Sequence, residues 1–406
     1  MKRASTLLAC LLLSTPAAAV EVEGLLDLRL QGSNSEHGWL WQGLDKQRFD
    51  DRHDGLQLGQ AVLEIRGQPL STVNAVLVLL GRGDGGDAVQ ASEAFLQWRP
   101  VPDGAWRPRV KLGAFFPAIS EENTGLGWTA PRTISTSAVN AWIGEEFRTV
   151  GAELTYARPG RFVGSAHDIE LFAAVFGYND PAGALLVWRG WSVGDRISIA
   201  GERIDFADLP AFRPTGVFRF HAPWIKPFKE IDGRWGAYAG ARYRHARGWG
   251  LSLMRYDNRG DPSGFDDGQW SWMTRFWHLG ANWQPRADWE VLAQLLQGST
   301  VAGRRHSVAA DYRAGYLLLS HLRGAHRFSV RFDAFAIDDR DRTVSDPNGE
   351  HGNAQALAWV WSPPGRAWHI ALEWLRIDST RDNRVLIGEP SKRVENSLSA
   401  AWRWRF

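Results

Sequence analysis

The last thirteen residues, 394–406, read Val-Glu-Asn-Ser-Leu-Ser-Ala-Ala-Trp-Arg-Trp-Arg-Phe. Leu398, Ala400, Trp402, Trp404 and Phe406 share one parity, while Glu395, Ser397, Ser399, Arg403 and Arg405 share the other. Side chains alternate faces along a strand, so this segment has one apolar face and one polar, charged face. A soluble chain rarely ends on two exposed tryptophans and a phenylalanine. A strand whose apolar face meets lipid can.

The same period-2 alternation recurs along the chain. It predicts strands over residues 20–31, 56–66, 71–80, 89–98, 109–116, 148–156, 168–178, 235–243, 250–257, 270–283, 289–297, 307–320, 327–337, 354–361, 368–377 and 394–406. That is about sixteen strands, an even number. The gaps between them alternate short and long. The longest, 117–147 and 179–234, do not alternate in hydropathy, although some strand character returns near 196–206. Short turns on one rim and long loops on the other predict an all-β, antiparallel, up-and-down transmembrane barrel with periplasmic turns and extracellular loops. Here the chain resembles the outer-membrane β-barrel proteins of Gram-negative bacteria, whose closing strand typically ends in Phe. The resemblance implies that Phe406 is read by the barrel-assembly machinery and that outer-membrane lipids and lipopolysaccharide surround the wall.

Composition fits a barrel that shows lipid only its alternate residues. There are 22 tryptophans in 406 residues, yet the mean hydropathy is only -0.30. Tryptophan favours membrane interfaces, where its apolar ring and polar N–H both find their solvent. Lys2 and Arg3 precede an apolar run over 7–13, and Ala17, Ala18 and Ala19 offer a small-residue cleavage site. Residues 1–19 therefore read as a secretory signal peptide, leaving 20–406 as one domain. Cys10, in a weak match to a lipoprotein cleavage box, is the only cysteine, so disulfides are excluded from the mature chain. A net charge of +2 argues against a nucleic-acid partner.

Parity also sorts the two faces. Leu26, Leu28, Leu63, Ile65, Val110, Leu154, Val175, Val330, Phe332 and Trp402 fall on the lipid side. Asp27, Arg29, Glu64, Arg66, Arg109, Lys111, Glu153, Glu170, Arg242, Arg244, Asp311, Arg313, Arg331, Asp333, Glu373 and Arg403 fall opposite. Charge in lipid costs kilocalories per residue, so this second set is expected to face inward. Sixteen strands enclose a lumen too wide for wall side chains to fill, which predicts water inside. The close alternation of acidic and basic residues predicts ion pairs between neighbouring strands.

The segment 117–147 lies between the fifth and sixth strands. In this layout the chain resembles the sixteen-stranded porins, whose third long loop folds into the lumen. The resemblance implies a constriction with Glu121, Glu122, Glu145 and Glu146 on the loop, opposed by Arg132 of the same loop. Arg109, Lys111, Arg242, Arg244, Arg331, Asp333 and Arg403 would lie on the wall. It further implies a homotrimeric passive channel for small hydrophilic solutes or ions. Trp128 and Trp142 are expected to pack the loop against the wall.

Two other readings compete with a porin. One is a non-transport barrel scaffold for surface-polysaccharide assembly or adhesion, with the lumen plugged by 179–234. Another is a dinucleotide site at Gly81, Gly83 and Gly86, where a hairpin loop needs the same glycines. No serine-hydrolase elbow or metal-ligand spacing is present in the sequence, so neither an enzyme nor a cofactor is expected.

Overall fold

The computed structural model describes residues 20–84, 89–341 and 343–406. The signal peptide read from 1–19, and Gly86 of the glycine pattern, lie outside them. Sixteen strands form the wall: β1 (Val20–Ser33), β2 (Gly55–Leu70), β3 (Val73–Gly81), β4 (Val89–Trp98), β5 (Arg107–Phe115), β6 (Thr149–Arg158), β7 (His167–Gly177), β8 (Gly236–His245), β9 (Trp249–Asp257), β10 (Trp272–Arg286), β11 (Trp289–Ala302), β12 (Val308–Arg323), β13 (His326–Asp339), β14 (Glu350–Trp361), β15 (Trp368–Arg381) and β16 (Lys392–Arg405). Each pairs antiparallel with the next, and the sheet closes. In lipid no water satisfies a free strand edge, so closure is what lets a sheet sit there.

Closure is made by β1 and β16, in register from Leu25 opposite Arg405 to Ser33 opposite Ser397. Gly24 N donates to Phe406 O at 2.8 Å, and Phe406 N donates back to Gly24 O at 3.1 Å. The Phe406 ring lies over Gly24, where any Cβ would collide with it. The terminal phenylalanine thus seals the seam because the facing residue has no side chain.

The alternation read from the last strand holds. Leu398 is 64 % exposed on the outer wall, while its neighbours Ser397 and Ser399 are 5 % and 6 % exposed inside. Replacing Leu398 with Arg is expected to cost about 2–4 kcal/mol if it lies near the bilayer midplane. Folding yield into lipid vesicles should fall; normal yield and unchanged heat resistance would contradict the outward assignment.

One part of the parity reading is corrected. Asp311 and Arg313 on β12 pair laterally with Ser299 and Gln297 of β11. Tyr312 and Ala314, between and beside them, are the buried, inward residues. The two charges therefore stand on the outer wall. They lie at the long-loop end of β12, away from Leu317 and Leu319, where the rule that charges must turn inward no longer applies.

The short turns hold two to eight residues, and Gly324 in one of the two-residue turns takes φ +60. The long connections all emerge at the other rim. Two of them, 116–148 and 178–235, run back into the barrel. The expectation that 179–234 stays outside as an extracellular loop is corrected: its first third lies in the lumen. Ala184, Leu185, Leu186, Val187, Trp188 and Trp191 are all 1 % exposed or less. The strand character expected near 196–206 reduces to a two-residue pairing of Ile204–Asp205 with Trp224–Ile225.

Candidate functional site in the barrel lumen

The first inserted segment is held by the wall. After β5, Phe116 N donates to Glu93 Oε1 at 2.9 Å, and the chain turns inward. Trp128 stacks on Phe116 at 4.2 Å, and the Arg148 guanidinium covers the other side at 3.5 Å. Gly127 turns the chain there with φ +61, under Val62, in space no Cβ fits. A helix follows, α1 (Ala138–Glu146), with Ser137 as its N-cap.

Carboxylates meet the open N–H groups of this segment. Glu122 accepts from Ser137 N at 3.0 Å and from Asn140 Nδ2 at 2.8 Å. Asp333 accepts from Ala138 N at 3.1 Å. Glu373 takes Ile134 N at 2.8 Å and Ser135 N at 2.9 Å. Arg331 joins the set, 2.9 Å from Glu122 and 2.8 Å from Asp333. Arg403 bonds Asp27 at 2.8 Å and Ala130 O at 2.9 Å.

The second segment sits on the first. Its short helix, α2 (Ala184–Trp188), starts against α1: Glu146 accepts from Gly183 N at 3.1 Å and Leu185 N at 2.9 Å. Glu145 pairs with Arg189 at 2.6 Å. Trp142 packs between Phe147, Trp191, Phe276 and Tyr312, with centroids 4.6 to 5.8 Å apart. Trp142 packs the loop against the wall, as expected, whereas Trp128 stacks on Phe116 at the root of the same segment.

A charged latch then ties this segment to the wall. Asp195 bonds Arg29 Nη1 at 3.0 Å, also contacts Arg29 Nη2, and lies 3.1 Å from Arg48. Arg48 reaches Asp84 at 2.9 Å, Asp84 lies 3.3 Å from Arg196, and Glu202 holds Arg82 at 2.8 Å and also pairs with Arg196. Burial pushes these carboxyls up, but the neighbouring guanidiniums outweigh it. Asp84 is held down to about 2, and Asp195 and Glu202 stay below the ordinary carboxylate range. A second set, Lys46–Glu350 at 2.7 Å and Arg381–Glu350 at 3.0 Å, fixes the far side, where Lys46 also donates to Arg189 O.

The result corrects the expectation of a water-filled constriction. Every strand carries an inward-facing residue with 6 % or less of its surface exposed, from Asp27, Val78 and Phe115 through Tyr256 and Phe276 to Ala356 and Ser399. Of the residues expected to face solute, Glu122, Glu145, Glu146, Arg331, Asp333 and Arg403 are buried to 4 % exposure or less and used as anchors. Wall side chains alone do not fill such a barrel; two inserted segments do.

The remaining expected residues meet water at the short-turn end. Arg109, Lys111, Glu121, Arg132 and Arg242 are partly exposed and Arg244 is exposed. A vestibule of about 660 Å³ opens there between the wall and the loop residues Asn123, Thr124 and Trp128. Arg66, Arg99, Arg109, Lys111 and Arg242 line it together with Glu64, Glu93 and Glu153. Glu170 bridges Arg242 at 2.9 Å and Arg109 at 3.4 Å. Arg132, expected opposite the loop glutamates, instead pairs with Glu290 at 2.6 Å.

Sequence reasoning missed Lys46, Asp84, Asp195, Arg196 and Glu202, which lie in loops where parity says nothing. One signal was legible. Leu185, Leu186, Val187 and Trp188 form an apolar run that an exposed polar loop does not need.

No protein-family model matches the sequence, and no curated protein matches it. Solved structures do. The outer membrane channel DcaP of Acinetobacter baumannii superposes with a TM-score of 0.54 at 11 % identity, over 97 % of this chain and 99 % of that one. The anion-selective porin from Comamonas acidovorans gives 0.51 at 12 % identity, over 96 % and 100 %. OmpF of Salmonella typhi, in complex with daunomycin, gives 0.52 at 8 % identity, over 96 % and 98 %. Identities this low speak for the fold. Together with the closed antiparallel wall of sixteen strands, they show that this chain has a porin-like outer-membrane barrel fold.

Proposed function

We propose that this protein is an outer-membrane channel of the porin type whose described state is closed. Small hydrophilic solutes meet a charged vestibule at the periplasmic end, and they pass only when the segment 179–234 leaves its seat. The observation that carries the reading is the stacking of a sealed upper lumen on an open, charged lower one. Mixed charge across the vestibule orders water and sorts solutes by charge and dipole. There is no catalytic step. The reading places the barrel among outer-membrane lipids, inserted through recognition of Phe406 and assembled as a homotrimer.

A specific observation favours a second reading, a plugged scaffold without transport. The plug also has an apolar core, built on Trp142, Trp188 and Trp191, and loss of ion pairs does not loosen such a core. Proteoliposomes separate the two. The intact protein should retain a trapped small sugar at about pH 7 and release it when the latch carboxylates are protonated in acid. Retention in both conditions by properly folded protein would overturn the channel and leave the scaffold.

A further inference from the structure

We infer that the outer wall over β9–β15 carries a binding site for a phosphate-bearing headgroup of an outer-leaflet lipid. The inference rests on this wall facing lipid and is independent of whether the lumen conducts.

Four arginines stand outward at the long-loop end of the wall. Arg255 lies opposite Trp277, Arg275 opposite Ser299, Arg313 opposite Gln297, and Arg376 opposite Gln355. The first three follow apolar outward rows on their own or the adjoining strands, where Leu253, Leu279, Leu295 and Leu317 are 44 to 59 % exposed, and Arg376 follows Leu372, 41 % exposed. The first three arginines border one shallow groove of about 560 Å³ that also takes in Ser299, Arg340 and the carboxylates Asp311 and Asp338. On β1–β7 the outer wall is apolar at the same end; Leu30, Leu56 and Val175 are 61, 76 and 49 % exposed. The arginines are thus a feature of one arc, not of the whole rim.

Their pairing shows what is left to bind. Arg313 is held by Asp338 at 2.6 Å, and Arg340 by Asp311 at 2.9 Å. Arg255 lies over the Trp277 ring at 5.3 Å, and Arg275 donates to Met273 Sδ at 2.7 Å. Among the described residues neither Arg255 nor Arg275 has a carboxylate in ion-pair range, although Asp257 is the register neighbour of Arg275. A guanidinium left at the boundary of an apolar wall needs an anion, and its planar fork fits the oxygens of a phosphate. Acyl chains along the leucine rows would bring such a headgroup to this height. A second copy joined by a two-fold axis is the weaker occupant, because that symmetry sets the same arginines against each other.

The test uses the folded full-length chain in detergent and bisphosphorylated lipid A as the probe, with retention read by native mass spectrometry. The native protein should retain the lipid, and Arg255→Gln/Arg275→Gln should retain at least about tenfold less while keeping its heat-resistant compact form. Removing the lipid's phosphates should have the same effect on the native protein, which serves as the test if the double variant does not fold. Equal retention by the variant, or equal retention of phosphate-free lipid, would overturn the proposal. Displacement by millimolar inorganic phosphate would assign the groove to free phosphate and overturn it too. So would a change in oligomeric state without loss of lipid.

Discussion

Deleting residues 181–228 and joining Asp180 to Lys229 should open the barrel. The ends already meet: Asp180 N donates to Lys229 O at 3.3 Å, and Asp180 also accepts from Ile231 N and Asp232 N. The wall's own ladder from β7 to β8 is untouched by the cut. What is lost is the upper layer of the plug. Leu185, Leu186, Val187 and Trp188 are completely buried, and each such side chain contributes about 1.5–3 kcal/mol by transfer from water. The shortened protein should therefore insert and remain a barrel, at reduced thermal stability. Liposomes containing it should swell in small sugars at least about tenfold faster than those with the intact chain. A folded, shortened barrel that still excludes sugar would mean that 117–147 seals the lumen alone.

The second large effect is expected from Asp195→Asn. This carboxylate lies between Arg29 and Arg48, and all three side chains are nearly dry. Removing one partner of a buried ion pair leaves uncompensated charge and costs about 3–5 kcal/mol. Here that cost falls on the seating of the segment, because Asp195 is on the plug and Arg29 is on β1. The variant should show intermittent openings at about pH 7 where the intact protein shows none. Acid should act in the same direction. Folded-state pKa values of Asp84, Asp195 and Glu202 lie below the ordinary values. Their contribution is then complete above about pH 4 and is lost as pH falls toward 2. A variant as silent as the native chain, with an unchanged melting temperature, would remove the latch from the account.

The wall was legible in the sequence and the plug was not, for a physical reason. A strand between lipid and lumen must alternate, so Leu398 and Trp402 against Ser399 and Arg403 declare both the strand and its faces. All sixteen strands appear within a few residues of their expected positions for the same reason. Parity fails at the ends. Asp311 and Arg313 continue the alternation of β12 but lie near the rim, where an outward charge costs little. Inside the barrel no period applies. Arg48, Asp84 and Asp195 come together from three loops, and only the fold sets them side by side. Wall side chains alone leave a sixteen-stranded lumen open. Loops of the same chain can fill that space, and the apolar run from Leu185 to Trp188 is the sign in the sequence that they do.

Burial of so many charges has its own meaning. A buried ion pair adds little net stability over an apolar pair, because desolvation offsets the attraction. An all-apolar plug would hold as well. A plug tied by Arg29, Arg48, Asp84 and Asp195 can be released by protonation or by a competing charged solute, which suits a closed channel better than a permanent scaffold.

Single-channel recording tests the central claim most directly. Intact protein, folded and inserted into a planar bilayer at about pH 7 across a salt gradient, should add no sustained conductance. Steady, stepwise, ohmic openings with each insertion would contradict it, and would mean that the segment 179–234 does not occupy the lumen in a membrane.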